Sequence, residues 1–167
     1  MSRISCLVLD VDGVLTDSRI YFTDEGVQIK AFNSKDGHGL RMLMRAGIEV
    51  VIITGRTSKA LEHRAAELGI THVFQGAIDK KPVLLEAASR LGIEPANMAY
   101  MGDDVVDLPP MSLCGLTIAP ADAMDMVKER SDIVTAKSGG HGAVREAIEI
   151  ILKREGLFDK AMERYVK

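Results

Sequence analysis

Short, nearly unbroken apolar runs recur along the chain, and amphipathic stretches separate them. Ile4 to Val11 (ISCLVLDV) and Glu49 to Thr54 (EVVIIT) are rich in β-branched residues, and Met98 to Gly102 and Leu116 to Ala119 are shorter runs of the same kind. An apolar run of this length without period-two alternation is a strand covered on both faces, which is the habit of parallel sheets. The stretches Gly39–Ala46, Ser58–Leu68, Pro82–Leu91, Val105–Leu113 and Ala143–Arg154 carry apolar residues at three- and four-residue spacing and predict helices. Two of them run into Leu-Gly-Ile (Leu68-Gly69-Ile70 and Leu91-Gly92-Ile93), a glycine-capped helix end followed by an apolar return. The alternation predicts an α/β fold, a doubly wound, Rossmann-like parallel sheet.

One segment interrupts the alternation. Arg19 to Phe32 has two β-like arms around Asp24-Glu25-Gly26, so a small β-hairpin is expected after the first strand, an insertion spanning about 18–33. A chain of 167 residues is long enough for one domain with a real core, and residues 1–167 are read as that single domain, with no linker to a second. The polar tail over 156–167 follows a helix stop at Gly156 and reads as a mobile end.

Composition narrows the function classes. Lysine and arginine number 21 against 24 acidic residues, a net charge of −3, which argues against a nucleic-acid binder with its strongly basic face. No apolar run reaches the roughly 20 residues of a membrane helix, and an aspartate interrupts the N-terminal run before a signal-peptide core could develop. Cys6 and Cys114 lie in apolar segments and read as reduced core residues of a cytoplasmic protein.

In an open parallel sheet, ligands bind beyond the carboxyl ends of the strands. The first predicted strand ends on Asp10-Val11-Asp12-Gly13 and the second on Thr54-Gly55-Arg56. A third ends on Gly102-Asp103-Asp104, with Asp107 a turn later, and Lys80 precedes the helix that contains Pro82. Several carboxylates at one edge repel each other and raise one another's pKa, and a hard cation on oxygen ligands relieves this. With a lysine and helix-start amides beside it, such a cluster suits a phosphate. Together these groups suggest phosphoryl transfer through an aspartyl-phosphate. Each feature has a plainer reading. Asp10-Val11-Asp12-Gly13 could open a calcium loop, but its glycine comes too early and it follows a strand instead of a helix. Thr54-Gly55 and Lys80 alone could be a cap and a surface residue. His38, His63, His72 and His141 have no metal-ligand spacing, and the nine methionines read as core filler.

Taken in order, Asp10-Val11-Asp12-Gly13-Val14-Leu15-Thr16-Asp17, then Thr54, Lys80 and Gly102-Asp103-Asp104-x-x-Asp107, the sequence resembles the haloacid dehalogenase superfamily of phosphotransferases. The small insertion makes it similar to the capless branch, as do Phe32-Asn33-x-x-Asp36-Gly37, Phe74-Gln75-Gly76 and Gly139-Gly140-x-Gly142. The resemblance implies a Mg²⁺-dependent phosphatase acting on 3-deoxy-D-manno-octulosonate 8-phosphate in lipopolysaccharide precursor synthesis. It makes Asp10 the nucleophile and a metal ligand. Asp12 would be the general acid/base, lending its backbone carbonyl to the metal and touching substrate. Thr54 would hold phosphoryl oxygens, Lys80 would neutralise the nucleophile and the phosphate, and Asp103 would complete the metal shell with Asp104 and Asp107 behind it. Asn33, Ser34, Lys35, Asp36, Gly37, Arg41, Gly55, Arg56 and Arg64 would lie near substrate. Arg56 and Arg64 would face the sugar-acid carboxylate and hydroxyls, partly across a subunit boundary, since the family implies a homotetramer joined through its hairpins.

The alternative within the same chemistry is a nine-carbon nonulosonate 9-phosphate phosphatase, against which Arg56 argues, because those enzymes carry an acidic residue there. From other classes, a receiver domain would place its acceptor aspartate after the third strand. A non-catalytic regulatory relative would be expected to have lost a motif residue.

Overall fold

The computed structural model describes residues 3–166. Its main sheet has six parallel strands in the order β5-β4-β1-β6-β7-β8. They are β1 (Cys6–Leu9), β4 (Glu49–Ile53), β5 (His72–Phe74), β6 (Met98–Met101), β7 (Leu116–Ala119) and β8 (Ile133–Val134). β1 lies at the centre, with Leu7 beside Val50 on β4 and Ala99 on β6. Every β1 side chain is buried, as expected for a strand covered on both faces. Alternate residues serve different cores. Leu7 and Leu9 join Leu40, Leu43, Leu61, Ile148 and Ile151 on one face, while Cys6 and Val8 join Leu84, Ala87, Tyr100 and Val127 on the other.

The helices that cover the sheet are α1 (Ser34–Arg45), α2 (Lys59–Leu68), α3 (Lys80–Leu91), α4 (Leu108–Met111), α5 (Asp125–Lys128), α6 (Ala143–Arg154) and α7 (Phe158–Met162). The doubly wound expectation holds. α2 ends at Gly69, whose φ of +79° lets the chain turn out of the helix while the Ile70 N–H donates back to the Ala65 carbonyl. The expected hairpin is present as β2 (Tyr21–Phe22) paired antiparallel with β3 (Gln28–Ile29).

Several expectations are corrected. α1 begins five residues before Gly39, because Asn33 caps it, its side chain accepting from the Lys35 and Asp36 N–H groups. The region 105–113 is a 3₁₀ turn (Val105–Asp107) followed by the short α4, with Pro109 and Pro110 in the helix's first turn, where no N–H is needed. The tail, expected to be mobile, folds back as α7. Leu157, Phe158, Ala161 and Met162 pack against the core, and the Tyr165 hydroxyl accepts from Arg45 Nη2 at 2.7 Å.

Candidate active site

The strand ends and helix starts build one cleft. β1 stops at Leu9, the Asp10 N–H donates to the Met101 carbonyl, and the chain then turns sharply, the Val14, Leu15 and Thr16 N–H groups all converging on the Val11 carbonyl. This turn brings Asp10 and Asp12 to the carboxyl edge beside Thr54, Gly55 and Arg56 from the end of β4 and Asp103 and Asp104 from the end of β6. With Lys80 at the start of α3, they line an open cleft of about 380 Å³. Gly13 has φ +89°, and a Cβ there would overlap the Asp103 carboxylate, so glycine is required for the two loops to approach this closely.

Asp10 is buried, and its Oδ1 lies 2.8 Å from Lys80 Nζ. The same ammonium is 2.7 Å from Asp107 Oδ1. Asp107 is fully occupied. Its Oδ1 also accepts from the Tyr100 hydroxyl at 2.9 Å, and its Oδ2 accepts from the Asp103 and Asp104 N–H groups. Burial by itself would lower the Lys80 pKa, but the two flanking carboxylates outweigh it and the pKa is raised. Burial, then the charge of Asp107, pushes Asp10 up to about 6 despite Lys80. Burial, then the charges of Asp10, Asp107 and Asp104, pushes Asp103 up to about 8.

These residues fit a hard cation. Carboxylate oxygens of Asp10, Asp103 and Asp107 lie within 4.8 Å of one another. Asp103 Oδ1 is buried without a hydrogen-bond partner among the described residues, a costly state that a cation would relieve. Because four donors already hold Asp107, the oxygens left for a cation are those of Asp103 and the Asp10 oxygen that Lys80 does not hold. The Asp12 side chain is not in this cluster. It turns to Lys30, whose Nζ lies 2.6 Å from Asp12 Oδ1, and Arg56 Nε is 3.8 Å from Asp12 Oδ2.

The structure brings Asp10, Asp12, Thr54, Gly55, Arg56, Lys80, Asp103 and Asp104 together, with Asp107 behind them. Asn33, Ser34, Lys35, Asp36, Gly37, Arg41 and Arg64 do not line this cleft within one chain. Within this chain they have other partners. Asn33 caps α1, and Asp36 Oδ1 accepts from the Arg145 N–H at the start of α6. Arg41 Nη2 donates to the Glu67 carbonyl, while Arg64 spans the Glu67 carboxylate and the Asn33 carbonyl. Sequence reasoning missed Lys30 and Tyr100. Lys30 sits on a hairpin arm read only as an insertion, and Tyr100 lies inside an apolar strand run. A polar residue within such a run is a signal that could have found either one.

The family model for haloacid dehalogenase-like hydrolases matches residues 30–115. The chain is 47% identical over 159 residues to the 3-deoxy-D-manno-octulosonate 8-phosphate phosphatase KdsC of Escherichia coli K12, covering 95% of this chain and 85% of that protein. It superposes on the Moraxella catarrhalis phosphatase of the same name, solved with magnesium, phosphate and KDO, with a TM-score of 0.94 and 42% identity over 97% of this chain and 93% of that one. The Yersinia pestis phosphatase gives a TM-score of 0.92 and 44% identity over 93% and 84%. A chain with this sheet, this acidic edge and these relatives belongs to the haloacid dehalogenase-like hydrolases, in the branch these phosphatases represent.

Proposed function

We propose that this chain is a Mg²⁺-dependent phosphatase that hydrolyses 3-deoxy-D-manno-octulosonate 8-phosphate to 3-deoxy-D-manno-octulosonate and phosphate, with Asp10 as nucleophile. The observation that carries the reading is the Asp10–Lys80 pair at 2.8 Å beside the unpartnered Asp103 oxygen, at the strand ends of a fold shared with phosphatases of that substrate.

The roles follow from chemistry. Asp10, pinned through one oxygen by Lys80, presents a carboxylate for in-line attack on phosphorus. The Lys80 ammonium offsets charge on the phosphoryl group, and the buried Thr54 offers a hydroxyl to its oxygens. Asp12 gives a proton to the leaving alkoxide and later takes one from the attacking water, help of a kind worth roughly 10²–10⁴ in rate. Asp10, Asp103 and the Asp12 backbone carbonyl would hold Mg²⁺, which when bound supplies charge neutralisation and polarises the phosphoryl oxygens. Asp104 and Asp107 hold the loop that carries Asp103. Gly55 leaves backbone room at the cleft wall, and Arg56 offers a planar fork to the sugar-acid carboxylate.

The chain acts as a single domain in a homotetramer joined through its hairpins. Ile20, Tyr21, Phe22, Val27 and Ile29 are all exposed there, an apolar surface that supports self-association. Residues 33–37, Arg41 and Arg64 reach substrate only in such an assembly, where a neighbouring copy brings its cleft to them. The setting is the cytoplasm, where lipopolysaccharide precursors are made. The test is phosphate release with Mg²⁺ on the eight-carbon 8-phosphate, a nine-carbon 9-phosphate and p-nitrophenyl phosphate. A kcat/KM preference of about 10²-fold for the first, ~2.7 kcal/mol of transition-state discrimination, is expected. Equal values on all three would remove the substrate assignment.

A further inference from the structure

The hairpin delivers a charge to the cleft as well as an apolar surface. Lys30, one residue past β3, has a side chain only 3% exposed, and its Nζ reaches Asp12 Oδ1 at 2.6 Å. Its neighbours on the hairpin, Phe22, Val27 and Ile29, point outward. Burying an ammonium costs free energy unless a charge receives it, so Lys30 is directed at Asp12. A carboxylate's terminal torsion is broad and roughly two-fold, so without a partner either oxygen of Asp12 could face the cleft. Lys30 removes that symmetry, because Oδ1 is engaged. Oδ2 is the free oxygen, with Arg56 Nε at 3.8 Å on its flank.

We propose that Lys30 is a positioning residue for proton transfer, holding Asp12 so that Oδ2 alone carries the proton to and from the reacting oxygens. This rests on the phosphatase reading above. In the first half-reaction an Asp10 oxygen bonds to phosphorus and the ester P–O bond breaks. Its electron pair goes to the ester oxygen, which takes the proton from Asp12 Oδ2. In the second half-reaction water oxygen bonds to phosphorus, the acyl-phosphate O–P bond breaks and its electron pair returns to Asp10. The water's proton then goes to Asp12 Oδ2. Lys30 touches none of the reacting atoms and acts only through Asp12.

The readout is leaving-group dependence. The sugar alkoxide of the 8-phosphate leaves poorly without a proton, whereas p-nitrophenolate leaves without one, and kcat/KM reports the leaving-group step. For Lys30→Met the expected loss in kcat/KM is about 10²-fold on the 8-phosphate and under about threefold on p-nitrophenyl phosphate, the lower end of general-acid effects. Lys30→Arg, which keeps the charge, recovers most of the loss. In an Asp12→Asn background, adding Lys30→Met changes the 8-phosphate value by less than about twofold, because the group it positions is already gone. Parallel losses on both esters would mark Lys30 as merely structural and overturn the proposal, as would an unchanged 8-phosphate value or a full effect in the Asp12→Asn background. A wild-type protein that releases phosphate from neither ester would instead defeat the phosphatase reading, and this proposal with it.

Discussion

At the residue scale, the cleft depends on a fully buried carboxylate just behind its lining. Asp107 accepts from Lys80, Tyr100 and two backbone N–H groups, so it fixes both the lysine beside Asp10 and the loop that carries Asp103. Asp107→Ala leaves Lys80 and Tyr100 buried with lost partners. Urea unfolding should show a loss of roughly 3–5 kcal/mol, the range for breaking a buried pair by removing one partner. Equal stability would show that Asp107 is not the anchor. A second prediction follows from Asp10 and Asp103, raised to about 6 and about 8. A carboxyl whose folded pKa exceeds its unfolded value near 4 contributes stability that is complete below that value and is lost as pH rises through the folded pKa. The metal-free protein should therefore lose stability between about pH 4 and pH 8, as these two carboxyls ionise. A cation among them reverses that loss, so Mg²⁺ should raise Tm more at pH 8 than at pH 5, as thermal scans at both values would read. An equal rise at both would show that the ion binds elsewhere. The places of Asp10, Lys80 and the acidic edge were legible in the sequence because each closes a predicted strand or opens a helix. Lys30 was not, because its partner lies 18 residues away and only the hairpin's path brings them together.

At the element scale, the central strands declared themselves because they are buried on both faces. The edge strands β5 and β8 did not, since His72–Phe74 is only partly buried and Ile133–Val134 is two residues long. α7 was missed because its contacts with α1 and α6 are tertiary, and a polar segment after a glycine stop shows no sign of them. The hairpin was legible, and its consequence lies beyond the single chain. A two-stranded hairpin is marginal in water without further packing, yet Phe22 is 62% exposed and Val27 59% exposed. In the proposed hairpin-joined tetramer, Phe22→Asp should give smaller species in light scattering coupled to size exclusion, while the far-ultraviolet circular dichroism stays as in wild type. A wild-type protein that is monomeric would remove the hairpin interface.

For the whole molecule, the two cores hold the strand ends at one edge, and the sequence-distant groups at 10, 54, 80 and 103 meet there. The same topology argues against a receiver domain, because the aspartate paired with Lys80 closes β1, the central strand, and carries a second acid two residues on. What one copy does not bring together is the group around Arg64, which lines a separate small cavity with Phe32, Asn33 and Asp36. Sequence resemblance joined these residues to the cleft, and the proposed tetramer is what would join them physically. The central claim is that Asp10 takes the phosphoryl group, and the most direct measurement is phosphate release from the 8-phosphate with Mg²⁺ by Asp10→Asn beside wild type. A fall to the uncatalysed background with unchanged folding is predicted, because the amide cannot form the acyl-phosphate. Turnover by Asp10→Asn comparable to wild type would contradict the account.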